Sequence, residues 1–225
     1  MSTSPRPPAL PRLPAALEPA ELAIADVAAG GKWSEVVVED ASLAGCEARD
    51  VDFDEARLVG CDLSAAQLTR FGTLDCELVR CNLANVLARD SSMVRTCCAD
   101  SRLTGLQWPE GGLQDVVFRN CRIDLAAFRF ARIQRVVFED CVLRDADFTG
   151  ARFESVRFSA CDLSAATFSG AAFERSEVRG CRLEGLRGVE GLAGAALEWT
   201  GILELAGGMA AALGIGVIEA PDDAP

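Results

Sequence analysis

Ten cysteines in a chain with no histidine and no tyrosine set the terms for any chemistry this protein could perform. Cys121, Cys141, Cys161 and Cys181 recur every 20 residues, Cys61 and Cys81 extend the series, and Ser101 stands in its gap. A row of thiols could cross-link, hold a metal or supply a nucleophile. No Cys-x-x-Cys pair occurs and no histidine is available to complete a metal site. The same absence removes the commonest general base and both the Ser-His-Asp and Cys-His arrangements. The carboxylates are scattered over turn and outward positions, where water keeps their acidity ordinary. The glycine pairs at 30–31, 111–112 and 207–208 lack the lysine of a phosphate loop. We therefore expect no enzyme, no cofactor and no metal.

The elements that carry these cysteines explain their spacing. From Val116 to Leu183 the chain repeats every five residues without insertion: VVFRN, CRIDL, AAFRF, ARIQR, VVFED, CVLRD, ADFTG, and onward to CRLEG. Third place holds Phe, Leu, Ile or Val and first place Cys, Ala, Val or Ser, so two inward side chains flank an outward one, the period-2 rule of a strand. Places four and five favour Gly, Ser, Asp, Arg and Asn, which suit a tight turn. No pentad can bury its apolar pair alone, so pentads must stack. The 20-residue cysteine period makes four pentads one coil, a four-sided solenoid with Phe128, Phe148 and Phe168 in one column and Phe118, Phe138 and Phe158 in another. Eight cysteines (46, 61, 76, 81, 121, 141, 161 and 181) hold the inward first place, where a free thiol acts as a small apolar group. Stacked about 4.8 Å apart and pointing in parallel, they read as a reduced packing ladder. Cys97, at an outward second place, should react first.

Pentads such as CDLSA (161–165), ADFTG (146–150) and CNLAN (81–85) resemble the A(D/N)LXX motif of the pentapeptide-repeat family. The resemblance covers roughly 70% of the chain and implies an all-β fold, a right-handed quadrilateral β-helix, with a helical C-terminus that in some members makes a dimer. It also implies one possible partner, because the best-known members are elongated acidic dimers that mimic DNA and bind DNA gyrase, protecting it from fluoroquinolones. The motif residues themselves are core residues and carry no chemistry. One lysine against 21 arginines agrees with a high-GC bacterial genome.

Along the chain, residues 1–17 are Pro-rich and read as a disordered or loosely attached lead-in, and 18–30 as a cap on the first coil. Pentads run from Gly31 to Gly185, with Thr73 the one third-place residue that is not apolar. This predicts about eight coils over 31–190. Between 86 and 115 the consensus weakens; Trp108 is large and Pro109 cannot donate to a ladder, so a bend, a bulge or a protruding corner is expected around Trp108 to Gly112, as a less regular but buried coil more than as a binding loop. After Leu186 the repeat stops. Residues 191–218 should form a helical cap with Thr200 as N-cap, followed by a terminal strand at Ile215 to Ile218 and an acidic tail at 219–225. No apolar run is long enough to span a bilayer and the N-terminus has no secretory h-region, which places the chain in the cytoplasm, off the membrane.

The formal charge of −12 excludes direct nucleic-acid binding and concentrates in the early coils. Glu35, Asp52, Asp54, Glu55 and Asp75 share one face and form a candidate acidic binding surface, interrupted farther on by Arg132, Arg135, Arg152 and Arg175. A second candidate is apolar: Val117 and Val137 stack beside Cys97, and Leu125 and Phe130 project at corners, unless terminal segments cover them. A third is the C-terminal segment, where Ile202, Leu203, Leu205, Met209 and Leu213 exceed one apolar stripe. It would either make a homodimer or pack wholly on the last coil. The function these features support is a non-catalytic protein-binding or scaffold module, with the DNA-mimicking gyrase modulator as the alternative.

Overall fold

The computed structural model of the chain describes residues 4–216. It is a parallel β-solenoid of about nine turns closed at one end by a short helix. First- and third-place residues are buried without exception from Ala41 to Phe168, so the five-residue pattern does set the core. Strand pairs hold a 20-residue offset through the body: Val117 lies beside Val137 and Phe138 beside Phe158. The phenylalanine columns form as expected, with Phe138 stacked between Phe118 and Phe158 at centroid distances of 5.0 and 4.9 Å.

The turns have one conformation. Every fifth residue from Gly30 to Gly185 has a positive φ, between 45° and 74°, a left-handed setting that costs an ordinary residue roughly 1–2 kcal/mol. That cost explains why no Val, Ile or Thr stands at any of these places; a branched Cβ would make it worse. The Asp or Asn of the motif also acquires a reason. Asp62, Asn82, Asp147 and Asp162 each accept the backbone N–H two residues on, at 2.9–3.2 Å, closing the turn with a side chain.

Two expectations need correction. The solenoid has about nine turns instead of eight, because both ends add a rung. At the start, Glu18–Pro19 pairs with Val36–Val37 at an offset of 18. At the finish, Ala195–Leu197 pairs with Ser176–Val178 at an offset of 19. The repeat thus outlasts its consensus, with one or two residues missing from each terminal coil. Nor is there a bend at Trp108. Gly112 pairs with both Ser92 and Arg132, and Trp108 is 1% exposed. The indole fits because Ala88 lies one coil before it and because Gly111 has no side chain; a Cβ there would meet Nε1 at 2.2 Å. Thr73 is equally well housed, its hydroxyl 2.8 Å from that of Thr96 inside the core.

The ends are closed differently. Helix α1 (Ile24–Ala28) presents Val27, 2% exposed, to the first coils. Helix α2 (Trp199–Ala212) closes the other end and buries Gly201 and Leu205. It begins one residue before Thr200, with Glu198 as N-cap. Gly214 follows it at φ 71°. Ile218 and the acidic tail lie outside the described residues.

Candidate protein-binding surfaces

The first-place cysteines donate their thiols inward. Cys61, Cys81, Cys121, Cys141 and Cys161 each reach the carbonyl two residues before and another 23 residues before, at 3.3–3.7 Å. Ser91 and Ser101 make the first of these bonds through Oγ at 2.8 Å. Where first place holds Cys, Ser or Thr, the side chain thus supplies a weak donor to these carbonyls; elsewhere the place is filled by apolar residues such as Ala126, Val136 and Phe71. All ten cysteines are free. Burial pushes the Cys76 thiol up to about 11, which keeps it unreactive. Cys97 is half-buried, and so is Cys181 at the end of the ladder. Burial raises the Cys97 thiol, against the pull of Arg119. A thiol reagent should therefore modify Cys97 and Cys181 ahead of the other eight, a pattern that peptide mass spectrometry after brief native labelling would read. Early modification of Cys121 or Cys141 would contradict the packing role.

The acidic face is brought together, and two of its five acids are neutralised. Lys32 bonds Asp54 at 2.7 Å. Asp52 leans over Gly72 of the next coil, where a Cβ would sit 2.3 Å from its Oδ1. Asp75 is 5% exposed and takes a two-pronged bond from Arg95, at 2.7 and 2.6 Å. That guanidinium holds the Asp75 carboxyl below the usual carboxylate range, against burial. Glu35 and Asp52 stay exposed and Glu55 half-exposed, so the row of free acid is short.

The apolar candidates separate. Val117 is only 6% exposed and Val137 half-buried, flanked by the Arg119–Glu139 pair at 2.7 Å. Leu125 and Phe130 are different: at 59% and 60% exposed, they project from consecutive corners. They are also the two large apolar residues among all the left-handed corners. Phe130 lies across the next coil, where Gly150 leaves room; a Cβ at Gly150 would be 2.4 Å from the ring.

In the C-terminal segment Leu205 is 3% exposed and belongs to the core, Ile202 and Met209 are half-buried, and Leu203 and Leu213 are exposed. Trp199, 71% exposed, joins them and was not singled out in the sequence. Glu198 and Glu204 were also missed. Their Oε2 atoms accept the N–H groups of Gly180 and Leu183 at 3.0 and 2.9 Å, replacing the carbonyls that a further coil would have supplied.

A third missed feature lies at the other terminus. Residues 5–14 run along the solenoid corner instead of standing off it. Ala9 N–H donates to Asp115 and Arg12 N–H to Asp75, both at 3.0 Å. The signal was present in the spacing of Pro5, Pro8, Pro11 and Pro14, the three-residue period of a polyproline helix.

The family models agree with this repeat. The pentapeptide repeat region model matches residues 91–168 and 111–187, and the pentapeptide repeats (8 copies) model matches 34–70. The chain belongs to the pentapeptide-repeat family. Among solved structures it is similar to HetL, a pentapeptide repeat protein involved in heterocyst differentiation regulation from the cyanobacterium Nostoc sp. (16% identity, 73% of this chain and 86% of that one, TM-score 0.36). It is also similar to full-length QnrB1, a plasmid-mediated fluoroquinolone resistance protein (17% identity, 82% and 100%, TM-score 0.37). No curated protein matches the chain. None of the helices among the described residues is long and apolar enough to cross a membrane.

Proposed function

We propose that the chain is a non-catalytic protein-binding module whose contact surface is centred on Leu125 and Phe130. The observation that carries this reading is their double cost. Each is more than half exposed, and each holds a left-handed corner that Gly or Asn would occupy more comfortably. Packing gives no reason for Leu125, and the contact of Phe130 with Gly150 leaves most of its ring uncovered, whereas an apolar contact with a partner accounts for both. The DNA-mimicking alternative requires a continuous row of free carboxylates, and here Lys32 and Arg95 neutralise Asp54 and Asp75.

The test is a paired variant, Leu125→Asn with Phe130→Asn, which keeps the corners in a tolerated conformation. It should melt within about 3 °C of the parent, since surface changes are usually within roughly 0.5 kcal/mol. It should also lose every protein that the parent retains specifically from a lysate of its own organism. If parent and variant retain the same proteins, the surface is elsewhere. Loss of gyrase supercoiling on adding either protein would return the reading to DNA mimicry.

The same module is proposed to be a two-fold dimer through α2. Trp199 and Leu203 on α2 and Leu213 just after it remain exposed, while the helix's inward side is already satisfied by Leu205, and an isologous contact would cover them.

A further inference from the structure

The N-terminal segment meets the corner of the solenoid in a way that repeats. Asp75 Oδ1 accepts Arg95 Nε at 2.7 Å and Arg12 N–H at 3.0 Å. Asp115 Oδ1 accepts Arg135 Nε at 2.7 Å and Ala9 N–H at 3.0 Å. The two seats are the same construction moved along by two coils. Two coils span about 9.6 Å at roughly 4.8 Å each, and three residues of polyproline helix span about 9.3 Å. The periods match, so two N–H groups three residues apart, those of Ala9 and Arg12, meet equivalent carboxylates. Pro5, Pro8, Pro11 and Pro14 are half-buried, while Arg6, Ala9 and Arg12, which follow three of them, are exposed. One ridge of the helix thus faces the corner.

The column continues beyond what the segment uses. Ser155 and Arg175 occupy the positions next in line after Asp115 and Arg135. Ser155 is 2% exposed, and its Oγ and the Arg175 Nε have no partner among the described residues. At this third position the carboxylate is missing and the Arg175 guanidinium turns its terminal nitrogens to Glu154 and Glu174, so only its Nε and the Ser155 hydroxyl lack a partner.

We infer that the corner formed by Asp75, Arg95, Asp115 and Arg135 is a docking groove for an extended proline-rich peptide in P-x-x-P register, with the chain's own residues 5–14 as its resident ligand. The carboxylates are held in place by the arginines, which fix their orientation and leave Oδ1 free to accept a second donor. Recognition uses the backbone N–H after each ridge proline, so it selects a three-residue period and a non-proline residue at that place. A preformed polyproline helix loses little entropy on binding. The tethered ligand acts at an effective concentration on the order of millimolar, so a partner's proline-rich segment must compete with it.

The full chain carrying Ala9→Pro and Arg12→Pro separates this from simple surface packing. Both changes keep the polyproline conformation and delete the two donors. In the parent, hydrogen exchange should show the Ala9 and Arg12 amides protected and those of Leu10 and Leu13 free. In the variant, with circular dichroism and melting unchanged, the groove should be vacant. A synthetic peptide of residues 4–16 should bind it saturably, and the parent at least tenfold more weakly. The same peptide N-methylated at residues 9 and 12 should lose at least tenfold in affinity. Absence of peptide binding to the variant, or equal binding of the methylated peptide, would overturn the inference.

Discussion

Replacing Phe148 by alanine should destabilise the solenoid by about 3–5 kcal/mol, the usual cost of emptying a phenylalanine site in a packed core. The ring is wholly buried and lies at the centre of the aromatic cluster. It stacks on Phe128 and Phe168 at 5.3 and 5.0 Å and meets Phe138, Phe153 and Phe158 edge-on at 6.5, 5.5 and 6.1 Å. The neighbours belong to stacked coils tied by ladder hydrogen bonds, so they cannot collapse into the space. The comparison is Cys141→Ala, also at a buried inward place. It removes one sulfur and two weak bonds to carbonyls, and first place already accepts alanine at Ala126, Ala131 and Ala146. Its cost should stay near 1 kcal/mol. Chemical denaturation of the two variants beside the parent gives both values. A Phe148→Ala variant as stable as Cys141→Ala would mean that the phenylalanine column is not what holds the coils.

The body of the fold was legible because it is written twice, once in the five-residue alternation and once in the 20-residue cysteine spacing. Each inward residue has one environment, set by its place in the pentad, so burial followed from sequence down to Trp108. The irregularity expected there failed for a local reason. Trp108 was judged by its size, but the space it needs comes from Gly111 in the next pentad and Ala88 in the coil before. Such compensation is spatial and shows only once coils are aligned. The ends were less legible for a related reason. Terminal rungs pair at offsets of 18 and 19, so a search in phase stops before the ladder does. The surface was the least legible part. The acidic face could be placed, yet its partial loss of charge depends on Lys32 and Arg95, one from the coil before its partner and one from the coil after. The proline ridge at 5, 8, 11 and 14 is legible only through its three-residue period; composition alone shows a Pro-rich segment.

Ending the chain after Gly194 should remove roughly 5 kcal/mol from the last coils and lower the melting temperature by about 10–20 °C, at the 2–4 °C per kcal/mol expected for this size. The deleted segment does three things at once. Ala195–Leu197 supplies the last rung beside Ser176–Val178. Glu198 and Glu204 satisfy the N–H groups of Gly180 and Leu183. Leu205, 3% exposed, covers the apolar end, a burial worth about 1.5–3 kcal/mol. Because each coil touches only its neighbours, the loss should fray the structure from Val178 and Leu183 inward while the Phe138 region stays protected. The point variant Glu204→Ala isolates one part; it leaves the Leu183 N–H without its acceptor and should cost about 1–3 kcal/mol. Sedimentation of the intact chain, of this truncation and of a Trp199→Glu, Leu203→Glu variant then distinguishes closing the end from joining two chains. The double variant should melt like the parent yet sediment as a monomer, whereas the truncation should be both monomeric and less stable. A truncated chain with unchanged melting would show that α2 does not cap the solenoid, and an intact chain that is already monomeric would show that its exposed face does not make a dimer.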